Sequence, residues 1–301
     1  MKEKKVKYGK DFLLMVIGQI VSLFGNAILR FALPLYLLRE TGSSALFGIV
    51  TAFSLLPMIV LSLLGGVLAD RVNKRNIMVG LDFFTAVVIA GFYILKGVVP
   101  AVPLFTVTLM LLYGISGIYQ PAVQASIPAL LPKERILGAS AIVNQIGSLA
   151  NFIGPIIGGM LYGVWGIKSI LQVSIMCFLL SAVMELFIVI PFHKQAGKNK
   201  LGETVKKDLR ESLHFLKSEK PVFLKVCIVI AGLNLFLSSM ITIGVPVIIV
   251  DTLSLTDQML GITQGLLAIG GIAGGLLTAL FEKKLKPGKA AVFLHLCGGF
   301  T

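Results

Sequence analysis

The sequence predicts an all-α polytopic membrane protein. Of its 301 residues, 56% are hydrophobic and only 14% are charged, and the mean hydropathy is +0.93. A soluble domain of this length could not bury that much apolar surface, so the bilayer must be its solvent. The apolar residues also fall into separate stretches of about 20 residues or more, the length that crosses a bilayer as a helix.

Counting along the chain predicts eight complete membrane spans and the start of a ninth. The eight lie near residues 12–38, 45–69, 77–96, 102–126, 138–163, 167–191, 222–250 and 257–281. The ninth begins near Ala290 and stops at Thr301. Because the chain ends among apolar residues, we expect a truncated reading frame or a partial chain.

The basic residues between these spans are distributed asymmetrically. Of the 27 Lys and Arg residues, 23 lie before the first span or after an even-numbered one, and three, Arg39, Lys96 and Lys168, lie in the alternate loops. The positive-inside rule therefore predicts that the N-terminus, residues 71–75 and residues 192–221 face the cytoplasm. The net charge of +13 then indicates membrane orientation rather than nucleic-acid binding.

The long basic segment 192–221 divides the chain. We predict an N-terminal six-helix bundle over 1–191, a cytoplasmic linker over 192–221 and a partial second bundle over 222–301. Within the linker, four apolar residues recur at helical spacing: Val205, Leu209, Leu213 and Leu216. This pattern predicts an amphipathic helix, either at the cytoplasmic headgroup layer or as a soluble linker without lipid contact.

A very short polar loop joins the second and third spans. It reads Gly66-Val67-Leu68-Ala69-Asp70-Arg71-Val72-Asn73-Lys74-Arg75 and has the form G-x-x-x-D-R-x-x-[KR]-R. It resembles the loop motif of the major facilitator superfamily of secondary transporters. The resemblance implies a conformational switch made of Gly66, Asp70, Arg71, Lys74 and Arg75; the alternative is an ordinary positive-inside loop. The family usually has Gly in place of Asn73, and Asn also tolerates a left-handed turn conformation.

Small residues recur in the fifth span, in the pattern Ala150-x-x-x-Gly154-Pro155-x-x-Gly158-Gly159. Residues 150, 154 and 158 share one face, which lets two helices approach closely, and Pro155 permits a bend. The pattern resembles the G-x-x-x-G-P-x-x-G-G motif of the superfamily's antiporters, with Ala150 in place of the first Gly. The resemblance implies efflux, and the alternative is generic packing of small residues.

Further segments resemble the macrolide-efflux and enterobactin-exporter branch of the superfamily. They are Gly18-Gln19-x-x-Ser22, Thr41-Gly42-Ser43 and Gln120-Pro121-Ala122-x-x-Ala125-x-x-Pro128. The resemblance covers essentially the whole chain and implies the major facilitator fold, here the first six-helix bundle and the start of the second. It also implies secondary active transport in a bacterial cell membrane, with proton-driven efflux of amphipathic molecules such as drugs or macrolides. In the fourth span, Gly117 and Gln120 lie where many proton-coupled members carry Arg.

Polar side chains inside the spans mark candidate functional positions, because a charge at the bilayer centre costs about 2.5–3.5 kcal/mol on insertion scales. Each of three helices carries a polar stripe on one face: Gln19, Asn26 and Arg30 in the first, Tyr113, Gln120 and Gln124 in the fourth, and Asn144, Ser148 and Asn151 in the fifth. The first and fourth helices of the superfamily fold line a central cavity, so the resemblance implies substrate contact. The alternative is interhelical hydrogen bonding.

Two acidic residues lie inside spans, Asp82 in the third and Glu185 in the sixth. Either carboxyl group could carry the coupling proton, or it could be the structural partner of a base. A nearby Arg would hold such a group ionised, so a proton-carrying role for Asp82 requires Arg30 to be distant or to move.

Other functions in the same fold stay open: an importer, a siderophore exporter or a lipid flippase, and also a non-transporting membrane sensor or an inactive fragment. The sequence has no cluster of His, Asp and Glu, no nucleophile elbow and no Gly-rich phosphate loop, so we expect neither an enzyme nor a cofactor or metal. The expected partners are a small-molecule substrate, protons and the lipid bilayer, with no nucleic acid.

Overall fold

The computed structural model describes residues 9–191, 210–211, 214–219 and 221–281, and its regular secondary structure in these ranges is helical. The predicted ninth span lies outside the described residues, as does most of the predicted amphipathic helix over 205–216. The all-α membrane architecture predicted from the apolar stretches is confirmed. Six helical elements of the described chain are long and apolar enough to cross a membrane, judged by length and composition.

The first four helices follow one another through short loops: α1 is Lys10–Thr41, α2 is Ser44–Arg71, α3 is Lys74–Leu95 and α4 is Ala101–Leu130. The next element, Lys133–Leu186, has 54 residues. At about 1.5 Å per residue this far exceeds one bilayer crossing. It is interrupted at Gly166, where φ is 68°, a conformation that glycine adopts without strain. We number its two halves α5 (133–165) and α6 (167–186).

Two further helices follow the basic segment. Helix α7, Pro221–Ser239, continues through π-helical turns at Met240–Gly244 and Val247–Thr252, and α8 is Asp257–Phe281. Helix α6 ends earlier than the predicted boundary at residue 191. The backbone N–H of Val189 donates instead to the Asp11 carboxylate of α1, at 2.9 Å. Pro191 also disfavours a helical conformation in the residue before it.

The loops at residues 42–43 and 72–73 are tight because their residues cap the helices. Gly42 ends α1 in a left-handed conformation, and the Ser43 hydroxyl accepts the Leu46 N–H of α2. Asn73 caps α3 by accepting the Arg75 N–H at 3.0 Å. Its φ is −61°, so Asn73 does not adopt the left-handed turn conformation that Asn tolerates. Asn is favoured here as a helix N-cap.

The helices of the first bundle approach one another closely where glycines lie at their contacts. A Cβ atom added at Gly117 of α4 would lie 2.7 Å from the Met58 carbonyl oxygen of α2. On the other side of the bundle, Gly158 of α5 lies against Ile28 and Phe31 of α1. Helix α8 packs on α5, where a Cβ at Gly159 would lie 2.8 Å from the Asp257 carbonyl oxygen. Beside these contacts, a cavity remains between the first six helices and the segments of α7 and α8.

Candidate functional site

A cavity of about 270 Å³ lies where the first bundle meets the second group of helices. Its polar wall comes from Arg30 of α1, Tyr113 of α4 and Asn151 of α5. Thr242 and Gln264 contribute from the α7 segment and α8. The remainder is mostly apolar, so the cavity suits a ligand with a hydrophobic body and few polar groups.

Arg30 is the charged residue of this cavity. Its guanidinium carbon lies 4.3 Å from the centroid of the Tyr113 ring, a cation–π contact. The Arg30 Nε atom is buried and has no hydrogen-bond partner in the described structure. No described carboxylate forms an ion pair with Arg30.

A second, smaller pocket of about 40 Å³ lies deeper in the first bundle. It is bordered by Ser22 and Asn26 of α1, Asp82 of α3 and Tyr119 of α4. Arg30 and Asn151 line both the pocket and the larger cavity. The pocket has space for about one water molecule, whose share of liquid volume is roughly 30 Å³. Arg30 therefore lies at the junction between the cavity and a polar interior.

Two acids in this interior, each with a hydroxyl partner, form what we call the acid cluster. It consists of Asp82, Glu185, Ser22 and Tyr119. The Ser22 hydroxyl donates to Asp82 Oδ1 at 3.0 Å, and the Tyr119 hydroxyl donates to Glu185 Oε1 at 2.7 Å. Asp82 is 2% exposed and Glu185 is 0% exposed. Each keeps one carboxyl oxygen without a hydrogen-bond partner, and the two acids interact electrostatically. No described basic side chain forms an ion pair with either acid.

Close packing of α6 on α1 holds the cluster in place. The Ser181 hydroxyl donates to the Gly18 carbonyl oxygen at 2.9 Å. A Cβ at Gly18 would lie in van der Waals contact with Glu185 Cγ, at 3.4 Å, so the acid lies directly beside the α1 backbone. The neighbouring Gln19 is buried, and both polar atoms of its amide lack a partner in the structure described here.

The structure brings together only some of the residues predicted for the substrate cavity. Arg30, Tyr113 and Asn151 line the larger cavity, and Asn26 and Gln120 line the inner pocket. Gln124 donates a hydrogen bond to Asn144 at 2.9 Å. Gln124, Asn144 and Gln19 line neither the cavity nor the inner pocket. Their roles stay predictions.

Sequence reasoning assigns no role to the two hydroxyl groups of the acid cluster: it names Ser22 only in the segment that resembles the exporter branch, and it does not name Tyr119. Ser22 continues the polar stripe of α1, three residues after Gln19 and four before Asn26, so the spacing could have found it. Tyr119 is six residues from Tyr113 and therefore faces a different direction around α4. Nothing in the stripe that we followed on α4 pointed to it.

The two ends of the bundle differ in their contacts to α7 and α8. Near the α1–α2 loop, Arg39 Nε and Nη2 donate to Asp257 Oδ1 of α8 at 2.8 and 2.7 Å, and Ser44 donates to Asp251. At the opposite end is the loop motif of residues 66–75. There Asp70 is exposed, and a Cβ at Gly66 would meet nothing within 4 Å.

Membrane-crossing helices in two groups, with a cavity of apolar walls and a few polar groups between them, are typical of a membrane transporter that moves substrate between two bundles. The solved structure of a D-xylose–proton symporter has the same fold, with a TM-score of 0.65 at 14% identity, over 93% of this chain and 70% of that one. The POT family transporter PepTSo matches with a TM-score of 0.56 at 15% identity, over 96% of this chain and 63% of that one.

Sequence comparison gives bacterial relatives. Macrolide efflux protein A of Streptococcus pyogenes is 26% identical, over 97% of this chain and 72% of that protein. The multidrug efflux pump Tap of Mycolicibacterium fortuitum is 23% identical, over 90% of this chain and 67% of that protein. The family model of the Major Facilitator Superfamily matches residues 15–301. The chain belongs to the major facilitator superfamily, whose members are multi-pass membrane transporters and act as carriers.

Proposed function

We propose that this protein is a proton-driven exporter of amphipathic small molecules in a bacterial cell membrane. The relatives named for macrolide and multidrug efflux support the direction and the substrate class. The apolar cavity with a few polar groups supports an amphipathic substrate. The observation that carries proton coupling is the acid cluster. Its two carboxyl groups interact inside the first bundle without a basic partner in the described residues, and Asp82 borders the inner pocket that Arg30 also lines.

The acid cluster can hold a proton because of its electrostatics. A buried, unpaired carboxylate is costly, and two carboxylates that interact at one site cannot both ionise readily. These electrostatics favour a state in which the two carboxyl groups hold at least one proton between them, as the proposal requires. The inner pocket has space for about one water, which gives the proton a route from Asp82 when the pocket hydrates. Asp82 is the exchanging group, and Glu185, which is fully buried against Tyr119, is the second candidate.

Arg30 and Asp82 border the same inner pocket without forming an ion pair in this conformation. Ser22, which donates to Asp82, lies eight residues from Arg30 on α1, about 12 Å along the helix axis. This arrangement supports the proposal that Arg30 is not a fixed counter-ion of Asp82, as a proton-carrying role for Asp82 requires.

The charge asymmetry of the loops supports a cytoplasmic N-terminus. In that orientation, the Arg39–Asp257 contact closes the outer face, and the loop motif with Asp70 and Arg71 lies on the cytoplasmic face as a conformational switch. Single cysteines at Ser43, Asn73 and Asn199, without the three native ones, test this orientation. An impermeant thiol reagent added outside should label only position 43, and labelling at 199 instead would reverse the orientation.

Asp70→Asn should impair transport but not membrane insertion. Normal transport by this variant would contradict the role of the loop motif as a conformational switch.

The proton assignment is tested by replacing Asp82 in proteoliposomes. Asp82→Asn should abolish uphill transport driven by a pH gradient but leave downhill substrate exchange intact. The matched control is Asp11→Asn, because Asp11 also joins α1 to the α6 end of the chain but lies outside the cluster, bonded to the Val189 N–H. Uphill transport by Asp82→Asn at the wild-type rate would make Asp82 structural. Glu185→Gln then tests the second candidate in the same assay.

A further inference from the structure

We infer that Arg30 is an anion-binding residue and that the substrates of this transporter carry an acidic group on a hydrophobic body. The inference specifies the substrate class of the cavity, so it rests on the proposed transport function. It concerns binding rather than proton coupling, and the two can fail separately.

Among the described lining residues of the cavity, Arg30 is charged and none is acidic. A guanidinium stays protonated under all physiological conditions, so Arg30 cannot neutralise itself as a carboxyl group can. The cavity therefore offers a fixed positive charge in a poorly hydrated place, where an opposite charge interacts much more strongly than in water.

Arg30 has no counter-ion among the described residues. A charge removed from water needs an ionic or hydrogen-bonding partner. Arg30 has the face of the Tyr113 ring at 4.3 Å, but its buried Nε–H is not used. Asp82, the acid that borders the same inner pocket, accepts from Ser22 instead. The described protein residues therefore do not fully satisfy the Arg30 guanidinium, and its positive charge remains available to an anion in the cavity.

The geometry of the Arg30 guanidinium and the walls around it indicate the shape of the ligand. A guanidinium presents donors in a planar fork that matches the two oxygens of a carboxylate, or those of a sulfonate or phosphate. Apolar side chains surround it, including Phe31, Phe47 and Leu260. The stacking of Arg30 on Tyr113 limits its movement and keeps the fork oriented. An amphipathic organic anion satisfies the charge and the walls together, whereas an amphipathic cation would be repelled by Arg30.

The test compares three probes of nearly equal shape: 1-naphthylacetate, its neutral amide 1-naphthylacetamide, and the cation 1-naphthylethylamine. Binding of each radiolabelled probe is measured to the protein in lipid nanodiscs, with empty nanodiscs subtracted. The wild-type protein should bind the carboxylate at least about tenfold more tightly than the amide, because hydrogen bonds to a charged group contribute more than neutral ones. The amine should bind most weakly.

Three variants assign this preference to Arg30. Arg30→Gln should lose about tenfold to a hundredfold in affinity for the carboxylate and bind the amide as before. Arg30→Lys should keep part of the preference, and Tyr113→Phe should keep nearly all of it, because the ring beneath the guanidinium remains. Amide binding reports that the cavity has folded. If Arg30→Gln also loses amide binding, the test uses Arg30→Lys instead. Its ratio of carboxylate affinity to amide affinity should then lie below that of the wild type.

A wild-type protein that binds the carboxylate no better than the amide would overturn the inference, as would a preference that survives in Arg30→Gln. The binding assay uses no proton gradient, so it is independent of the proposed coupling. Anion-selective binding together with uphill transport by Asp82→Asn would overturn the proton assignment and leave the anion site intact. Gradient-driven transport with no carboxylate preference would overturn the anion site and leave the proposed coupling intact.

Discussion

The two polar regions inside the membrane differ in which helices surround them. The acid cluster lies within the first bundle, with all of its hydrogen bonds among α1, α3, α4 and α6. The Arg30 cavity lies between the bundle and the second group of helices, since Thr242 and Gln264 line it. A movement of one group against the other changes the surroundings of Arg30 directly. The same movement reaches the acids only through the small pocket that Arg30 shares with Asp82.

This difference separates the tasks of the two regions. A substrate site must open alternately to the two sides of the membrane, so it belongs between the moving groups. A proton site must keep its carboxyl groups shielded from water until the pocket hydrates, which a rigid bundle interior provides. Arg30 connects the two regions, because it lines both spaces.

The largest effect on stability is expected from a side chain added inside the first bundle. Gly117→Ala would place a Cβ 2.7 Å from the Met58 carbonyl oxygen, so α2 and α4 must separate. We expect destabilisation by about 1–3 kcal/mol, measured as the unfolding transition in detergent.

Gly159→Ala, at the contact with α8, makes a similar clash with the Asp257 carbonyl oxygen, at 2.8 Å. Because this contact joins α5 to α8 rather than two helices of the first bundle, we expect Gly159→Ala to unfold more like the wild type and to bring the two groups of helices together less closely. Gly66→Ala is the control, since its Cβ meets nothing within 4 Å and alanine favours a helix. Equal destabilisation by Gly117→Ala and Gly159→Ala would remove the distinction between rigid interior and moving interface.

A smaller effect is expected from Tyr119→Phe in the acid cluster. The change removes the hydroxyl that donates to Glu185 at 2.7 Å, with a cost of about 1 kcal/mol in unfolding free energy. It should also change the pH dependence of gradient-driven transport, because Glu185 loses its donor. Tyr113→Phe is the matched control, as it keeps the ring beneath Arg30 and should leave that pH profile unchanged. If both variants shift the profile alike, the two regions are not separate.

The smallest effect is expected from Arg39→Gln at the α1–α2 end. The Arg39 side chain is 41% exposed, so its pair with Asp257 contributes only about 0.2–1 kcal/mol. This shifts the balance between closed and open states by about fivefold at most. A cysteine at Thr242 should then react with a thiol reagent slightly faster from that side. The exchange of Arg39→Asp with Asp257→Arg should restore the slower rate, and a failure to do so would indicate that the ion pair does not stabilise closure.

Much of the fold could be predicted from the sequence because bilayer thickness fixes the length of an apolar helix. Local chemistry fixes several ends: Ser43 and Asn73 act as N-caps, and Gly166 allows the break between α5 and α6. The end of α6 could not be predicted from composition, since residues 187–191 are apolar. It depends on a contact with Asp11, which is 178 positions away.

The site was harder to predict than the helices. Helical spacing identified Arg30, Asn26 and Tyr113, because these residues follow one face of their helices. Spacing within one helix cannot reveal that Asp82 meets Ser22, or that Glu185 meets Tyr119, because these contacts join different helices at separations of 60 and 66 positions. Tyr119 also lies off the predicted stripe of α4. Partners of buried acids are set by helix packing, which the sequence pattern alone does not specify.

The central claim is that the acid cluster carries the proton while Arg30 binds the substrate. Its most direct test measures two variants with two readouts, equilibrium binding of 1-naphthylacetate and uphill transport driven by a pH gradient. Asp82→Asn should bind the carboxylate within about twofold of wild type, as expected for an unchanged site, and transport nothing uphill. Arg30→Gln should bind the carboxylate at least about tenfold more weakly and still drive the neutral amide uphill. If each variant loses both activities to the same degree, the two regions act as one site and the division of tasks is wrong.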